Sequence, residues 1–276
     1  MMLTIIQHRP HQVQISLLHG IRAPLFGHRH DETIREGDIG KLFQYAIRDW
    51  VRRHDRNGLE RTDVIVANSE FTAEMLLHYH GIEADEIIYP PVDTDDYYND
   101  NPGDYYLYLG RLHPTKGIEN IVEAFNKVDH RLIVAGKGPL KSQLKEMAGS
   151  KIEIVGYVSE ERKRKLFAKA RGFIQNTLAE PFGITTVEAL ASGTPVIAAN
   201  VGNNPNLVEH GKTGVLFDRE DGLTDFDRPQ SVRPLLNAVK KAEEIGWRSE
   251  TICNSVERYD TSRVRESWQS LLNRVE

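Results

Sequence analysis

The sequence is short of several things that would narrow its class. It has one cysteine, Cys253, in 276 residues. A lone cysteine excludes an intramolecular disulfide framework and fits a reducing compartment. Long apolar runs are missing, because no window approaches the roughly 18–20 apolar residues that a membrane-spanning helix needs. The opening MMLTIIQHRPHQ also lacks the apolar stretch and small-residue cleavage site of a secretory leader. Positive charge is not in surplus: 35 Lys and Arg stand against 40 Asp and Glu, for a net charge of -5. That balance argues against a nucleic-acid partner held by a general basic surface. Internal repeats, low-complexity tracts and a metal-ligand cluster are all absent from the sequence pattern. The expectation is a soluble, cytoplasmic protein of ordinary globular composition, with no metal and no cofactor.

What is there points to α/β architecture. The length suits two domains of roughly 100–150 residues. From Asp104 onward, short runs rich in Val, Ile, Leu and Tyr alternate with segments of helical period, the pattern of a doubly wound parallel sheet with crossover helices. Strands are expected at 105–110, 131–136, 152–157, 172–176, 195–199 and 214–217, with helices near 118–128, 139–148, 159–171, 184–192 and 203–210. Upstream the signal is thinner: strands at 3–7, 13–18, 63–68 and 86–90, and helices around 38–54 and 70–80. The stretch PPVDTDDYYNDNPGD, residues 90–104, reads as an interdomain linker. The tail from Arg228 reads as helical, its last segment DTSRVRESWQSLLNRV opened by an Asp or Thr cap. The expected domains are residues 1–100, 101–255 and a C-terminal helical segment, 256–276.

An open parallel sheet binds ligands beyond the C-terminal ends of its strands. Several chemically active residues fall there. AEPFGITTVEALASGTPVIA carries Glu180 and Glu188 around Gly183, ahead of a helix whose N-terminal N–H groups suit a phosphate. GRLHPTKG, residues 110–117, brings Arg111, a planar fork for phosphate oxygens, and Lys116, a mobile point charge. AGKGP, with Gly136, Lys137 and Gly138, allows a base or phosphate near the backbone, and a tight strand-to-helix turn explains it about as well. GNNPNLVEHGKTG adds a Gly- and Asn-rich turn at the same edge. Taken singly, Glu188 reads as a solvated helix residue and Glu180 as a loop residue. The basic run ERKRKLFAKAR, residues 161–171, reads first as a solvated helix face and second as a contact for anionic lipid at a membrane periphery.

The run from Arg111 through EPFGITTVEALASGTPVIA to GKTGVLF resembles the retaining GT-B glycosyltransferases of group 1, which include glycogen synthases and mannosyltransferases. VIVANSEFTAEML and IIYPPVDTDDY match as well, and the likeness covers roughly residues 14 to 275. It implies two Rossmann-like domains facing a cleft, the N-terminal one reduced and on the acceptor side. It implies transfer of a hexose, mannose or glucose favoured, from a nucleoside diphosphate sugar to a glycan or lipid-linked acceptor. On matching positions, Glu188 would accept from the nucleotide ribose and Glu180 from hydroxyls of the transferred sugar. Arg111 and Lys116 would hold the diphosphate, and Phe182, Gly183, Ile184 and Thr185 would complete its cradle. Gly110, the 136–138 segment, Tyr157 and Val158 would line the donor site. The family favours a front-face reaction without a protein nucleophile or a metal.

The N-terminal region fits less well. His19 in LLHGIRAPLFG occupies the place of a family histidine aimed at the donor sugar, with a loop histidine as the alternative and Arg22 as a weaker candidate. The Gly-rich loop with which the family's first domains open has no counterpart, so the first domain reads either as naturally reduced or as a truncated product. This leaves a second reading open: a nucleotide-sugar-binding protein completed by a partner chain. An epimerase or phosphorylase is the third. The C-terminal segment with Trp268 would pack back on the first domain, as in relatives, or on its own domain. A reduced domain with about four strands has too few helices to cover both faces of a parallel sheet, so self-association is expected.

Overall fold

The apolar runs of the sequence become parallel strands. The computed structural model describes residues 13–19, 53–177, 179–219 and 231–275. Its contacts divide the chain into one unit formed by Met1–Tyr89 with Ser267–Glu276 and another formed by Pro90–Glu266. The expected strand at 3–7 and nearly all of the expected helix at 38–54 lie outside the described residues, as does Arg22.

In the first unit, β1 (Ile15–Leu18), β2 (Val64–Ala67) and β3 (Glu86–Ile87) form a parallel sheet in sequential order. Residues 53–59 are helical (α1). Helix α2 (Glu70–His80) has the ends its sequence announces. Ser69 accepts from the Thr72 amide at 3.0 Å, and Gly81 takes the left-handed conformation that closes the helix. Leu18, Leu59, Ile65 and Leu76 form its core. β3 is shorter than expected, because past Ile88 the chain runs into Pro90 and Pro91, which have no amide hydrogen to extend a ladder.

The second unit holds a six-stranded parallel sheet, β4 (Tyr105–Leu109), β5 (Arg131–Ala135), β6 (Ile152–Gly156), β7 (Gly172–Gln175), β8 (Val196–Ala199) and β9 (Gly214–Phe217). The spatial order is β6-β5-β4-β7-β8-β9. Between the strands run α3 (Ile118–Phe125), α4 (Lys141–Met147), α5 (Glu160–Ala168), α6 (Ile184–Ala191) and the single turn α7 (Asn204–Leu207). Helices α8 (Arg233–Glu243), α9 (Ser249–Asn254) and α10 (Thr261–Val275) follow, the residues of α10 from Ser267 onward, Trp268 among them, belonging to the first unit. The inner strands are buried on both faces, hence their unbroken Val, Ile and Leu content. Tyr106 packs edge-on against Phe125 of α3 at 5.3 Å between ring centres.

Three expectations need correction. The linker at 90–104 is bound in place within the second unit. Val92 bridges Asp260, the Asp100 amide donates to the Ala168 carbonyl at 3.1 Å, and Gly103 donates to Lys169 at 2.8 Å. The helix expected at 203–210 is one turn, since Val208 is extended and the Glu209 amide turns to the Thr213 hydroxyl at 2.8 Å. The helix expected to reach residue 171 stops at Ala168, where side chains take its last carbonyls: Tyr105 bonds Leu166 and Thr194 bonds Phe167.

Candidate functional site

Because every strand of the larger sheet is parallel, all six C-terminal ends open on one edge. The strand order reverses between β4 and β7, and an open α/β sheet of this kind has its ligand crevice at that reversal. The loop after β4 carries Gly110, Arg111 and Lys116; the loop after β7 carries Glu180, Phe182 and Gly183. These two loops flank the reversal.

They are joined directly. Lys116 Nζ lies 2.7 Å from Glu180 Oε2, with the two side chains only 19% and 15% exposed. Each loop is braced for this. His113 caps the turn Pro114–Lys116, its Nδ1 accepting from the Thr115 amide at 3.3 Å. Asn176, at the end of β7, donates to the Gly117 carbonyl at 3.1 Å and ties one loop to the other. On the far side, the Asn203 amide donates to the Glu180 carbonyl at 2.9 Å and its side chain to the Phe182 carbonyl at 3.1 Å. Gly202 approaches so closely that a Cβ there would stand 2.6 Å from the Glu180 nitrogen. The GNNPN turn thus positions the loop that carries Glu180, a role the sequence pattern did not reveal.

Gly183 opens α6 in a left-handed conformation with no side-chain cap. The first-turn amides of Ile184 and Thr185 precede the helix's own bonding ladder and face the direction in which an anion is stabilised. Within that turn the Thr186 hydroxyl is buried without a hydrogen-bond partner. Arg111 is exposed beside the crevice, and its carbonyl accepts from the Tyr108 hydroxyl at 2.8 Å. Burial, and next the Glu180 carboxylate, push the Tyr108 pKa up.

The remaining candidates separate into two groups. Gly136, Lys137 and Gly138 follow β5, and Tyr157 and Val158 follow β6, at the same sheet edge. Tyr157 is 67% exposed, with the Lys137 ammonium 4.3 Å from its ring centre. The two glycines serve the backbone: a Cβ on Gly136 would fall 1.8 Å from the Gly110 carbonyl oxygen, and one on Gly138 would fall 2.2 Å from that of Leu112. The turn explanation of AGKGP therefore accounts for them. His19 follows β1 in the first unit and is exposed.

Glu188 is not a solvated helix residue. It is 6% exposed and pairs with Lys163 of α5 at 2.6 Å. The basic run is, apart from Lys163, largely the expected solvated face, with its charges paired. Arg164, Lys165, Lys169 and Arg171 pair with Asp96, Glu161, Asp100 and Glu243. Lys163 and its neighbour Tyr97 escaped the sequence reading because their meeting depends on which helix faces pack together. Among the described residues no group of His, Cys, Asp and Glu is arranged to hold a metal, and no helix is long and apolar enough to cross a membrane.

Comparison with known proteins places these features in context. The family description "Glycosyl transferases group 1" matches residues 94–224, and "Glycosyltransferase Family 4" matches residues 6–96. An uncharacterized glycosyltransferase of Methanocaldococcus jannaschii is 32% identical over 118 residues, which is 40% of this chain and 30% of that protein. The D-rhamnosyltransferase WbpZ of Pseudomonas aeruginosa is 24% identical over 86% of this chain and 64% of its own length. The chain thus spans less than two thirds of each of these relatives. Among solved structures, Anabaena HepE in complex with UDP-glucose superposes with a TM-score of 0.70 at 19% identity, over 94% of this chain and 71% of that one. At that identity the likeness concerns the fold, which is of GT-B type.

Proposed function

Because the chain belongs to the glycosyltransferase group 1 family, we propose that it is a retaining hexosyltransferase that uses a nucleoside diphosphate sugar. The observation that carries this reading is the Lys116–Glu180 pair across the strand-order reversal between β4 and β7. Mannose or glucose is the favoured sugar and a glycan or lipid-linked molecule the favoured acceptor. The HepE complex makes UDP-glucose the first donor to try.

The roles follow from chemistry. Arg111 and Lys116 take the diphosphate oxygens, together with the amides that open α6. A lysine ammonium has three donors, so Lys116 can keep Glu180 while it binds phosphate. Glu180, fixed through Lys116 and through its own backbone bond from Asn203, accepts from hydroxyls of the sugar. Glu188 accepts from the ribose. Tyr157, with Lys137 over its ring, offers a face to the base. His19, matched to the family histidine, is proposed as a further contact to the sugar.

In the reaction, the bond between the anomeric carbon and the diphosphate oxygen breaks as the acceptor oxygen bonds that carbon on the same face. The acceptor's proton passes to the departing phosphate oxygen. Charge grows on the diphosphate, where the two cations and the helix end stabilise it, so positioning and electrostatics supply most of the catalysis.

Incubation with a panel of nucleoside diphosphate sugars and acceptors, with detection of released nucleoside diphosphate, tests the proposal. Release that depends on an acceptor supports transfer. Tight donor binding with no release under any pairing would instead favour the binding protein completed by a partner chain.

A further inference from the structure

Three elements converge on Glu188. From α6 comes the carboxylate itself, buried to 6% exposure. From α5 comes Lys163, whose side chain is 13% exposed and whose ammonium lies 2.6 Å from both Glu188 and Glu160. From the segment ahead of β4 comes Tyr97, with the Lys163 ammonium 5.9 Å from its ring centre. Burial raises the Tyr97 pKa first and the adjoining Glu188 carboxylate raises it further, so the phenol stays a neutral donor. Burial alone would lower the Lys163 pKa, but hydrogen bonds to Glu160 and Glu188 outweigh it and hold the ammonium above its usual range.

This cluster differs from the other cations of its helix. Arg164, Lys165 and Lys169 pair with acids on a solvated face, where such contacts stabilise little. A carboxylate buried like Glu188 costs free energy unless it is paired. Lys163 engages one of its oxygens, Oε1, and the Tyr97 hydroxyl also bonds the carboxylate; each carboxylate oxygen carries two lone pairs, so acceptor capacity remains for one more hydroxyl. Holding one oxygen fixes the plane of the other, so a hydroxyl that meets it pays little ordering cost.

We propose that Lys163 is a positioning residue that fixes the Glu188 carboxylate for a nucleotide ribose, and thereby sets the preference for ribo- over deoxyribonucleoside diphosphates. This rests on the ribose role given to Glu188 above.

The test is calorimetric binding of UDP, GDP and ADP, each beside its 2′-deoxy and 3′-deoxy forms, to the full chain. The unaltered protein should prefer the ribose form of its best ligand by about tenfold or more, the worth of one hydrogen bond to a charged group. Glu188→Ala should abolish that preference. Lys163→Met should shrink it severalfold while leaving affinity for the deoxy form unchanged, and Lys163→Arg should keep it. The double variant Lys163→Met with Glu188→Gln buries no unpaired charge, and its loss should match that of Glu188→Ala alone rather than add to it. Full preference in Lys163→Met beside its loss in Glu188→Ala would overturn the inference. So would equal weakening of ribose and deoxy forms, which is what a merely structural lysine gives. A preference that survives Glu188→Ala would instead sink the ribose reading on which the inference stands.

Discussion

Lys116 and Glu180 are 64 positions apart in sequence and meet at 2.7 Å, one from the loop after β4 and one from the loop after β7. The contact closes the two sides of the strand-order reversal with opposite charges that are largely shielded from water.

Removal of one partner should therefore cost both fold and chemistry. Lys116→Met leaves a mostly buried carboxylate without its cation, and a loss of roughly 1–3 kcal/mol in urea unfolding is expected. Adding Glu180→Gln should recover most of that stability, since no unpaired charge remains. It should not recover transfer, which is expected to fall by about 10²–10³ when a group that stabilises the leaving charge is lost. Activity that returned with stability would make the pair a brace and nothing more.

Glu188→Ala should weaken nucleoside diphosphate binding by roughly 1.5–3 kcal/mol, the range for a hydrogen bond to a charged group. Titration calorimetry with the best-binding nucleotide reads this directly. An unchanged affinity would place the Glu188–Lys163 pair outside the donor site.

Much of the fold and of the loops at its sheet edge was legible in the sequence, for physical reasons that can be named. Buried parallel strands must be apolar on both faces, so β4, β5 and β8 stand out as short Val-, Ile-, Leu- and Tyr-rich runs. Helix α2 carries its boundaries in Ser69 and Gly81. EPFGITT is distinctive because a close-approach glycine and a helix opening leave few alternatives to Gly183. What stayed hidden depends on packing between elements. The partner of Glu188 lies on α5, and periodicity within α5 offers Lys163 to solvent as readily as to a neighbour. Asn203 and Gly202 look like turn chemistry until the loop that carries Glu180 is seen lying on them.

The glycines should separate into those the backbone requires and those it tolerates. Gly136 has φ +145° and no room, with the Gly110 carbonyl oxygen 1.8 Å from a Cβ. Gly211 has φ +83° and nothing within 4 Å. Gly211→Ala should cost about 1 kcal/mol, the strain of a side chain at positive φ. Gly136→Ala must also part the loops after β4 and β5, where Gly110 bonds the Ala135 carbonyl at 3.1 Å, and should cost about 3 kcal/mol or more. Equal losses in denaturant melts would mean that these loops yield easily.

The last prediction concerns acid. Asp260 sits where residues 92–94 run beside residues 260–262. One of its oxygens accepts from the Ser262 hydroxyl at 2.6 Å and amide at 2.9 Å, and the other from the Thr94 hydroxyl at 2.7 Å. These bonds, Ser262 first, pull its pKa from 3.8 to about 2. A carboxylate so depressed is charged in folded and unfolded chains alike at neutral pH, and its contribution to stability is fully present above the unfolded value. As pH falls from about 4 toward about 2, the unfolded chain takes up the proton first and the contribution disappears. Asp260→Asn lacks this titration. The stability gap between the unaltered protein and Asp260→Asn, measured by urea unfolding at pH steps from about 6 downward, should stay level to about pH 4 and then close. A gap that holds constant through that window would mean that Thr94 and Ser262 hold the protonated acid of Asp260 as well as its carboxylate, and that the charge of Asp260 contributes nothing to the junction.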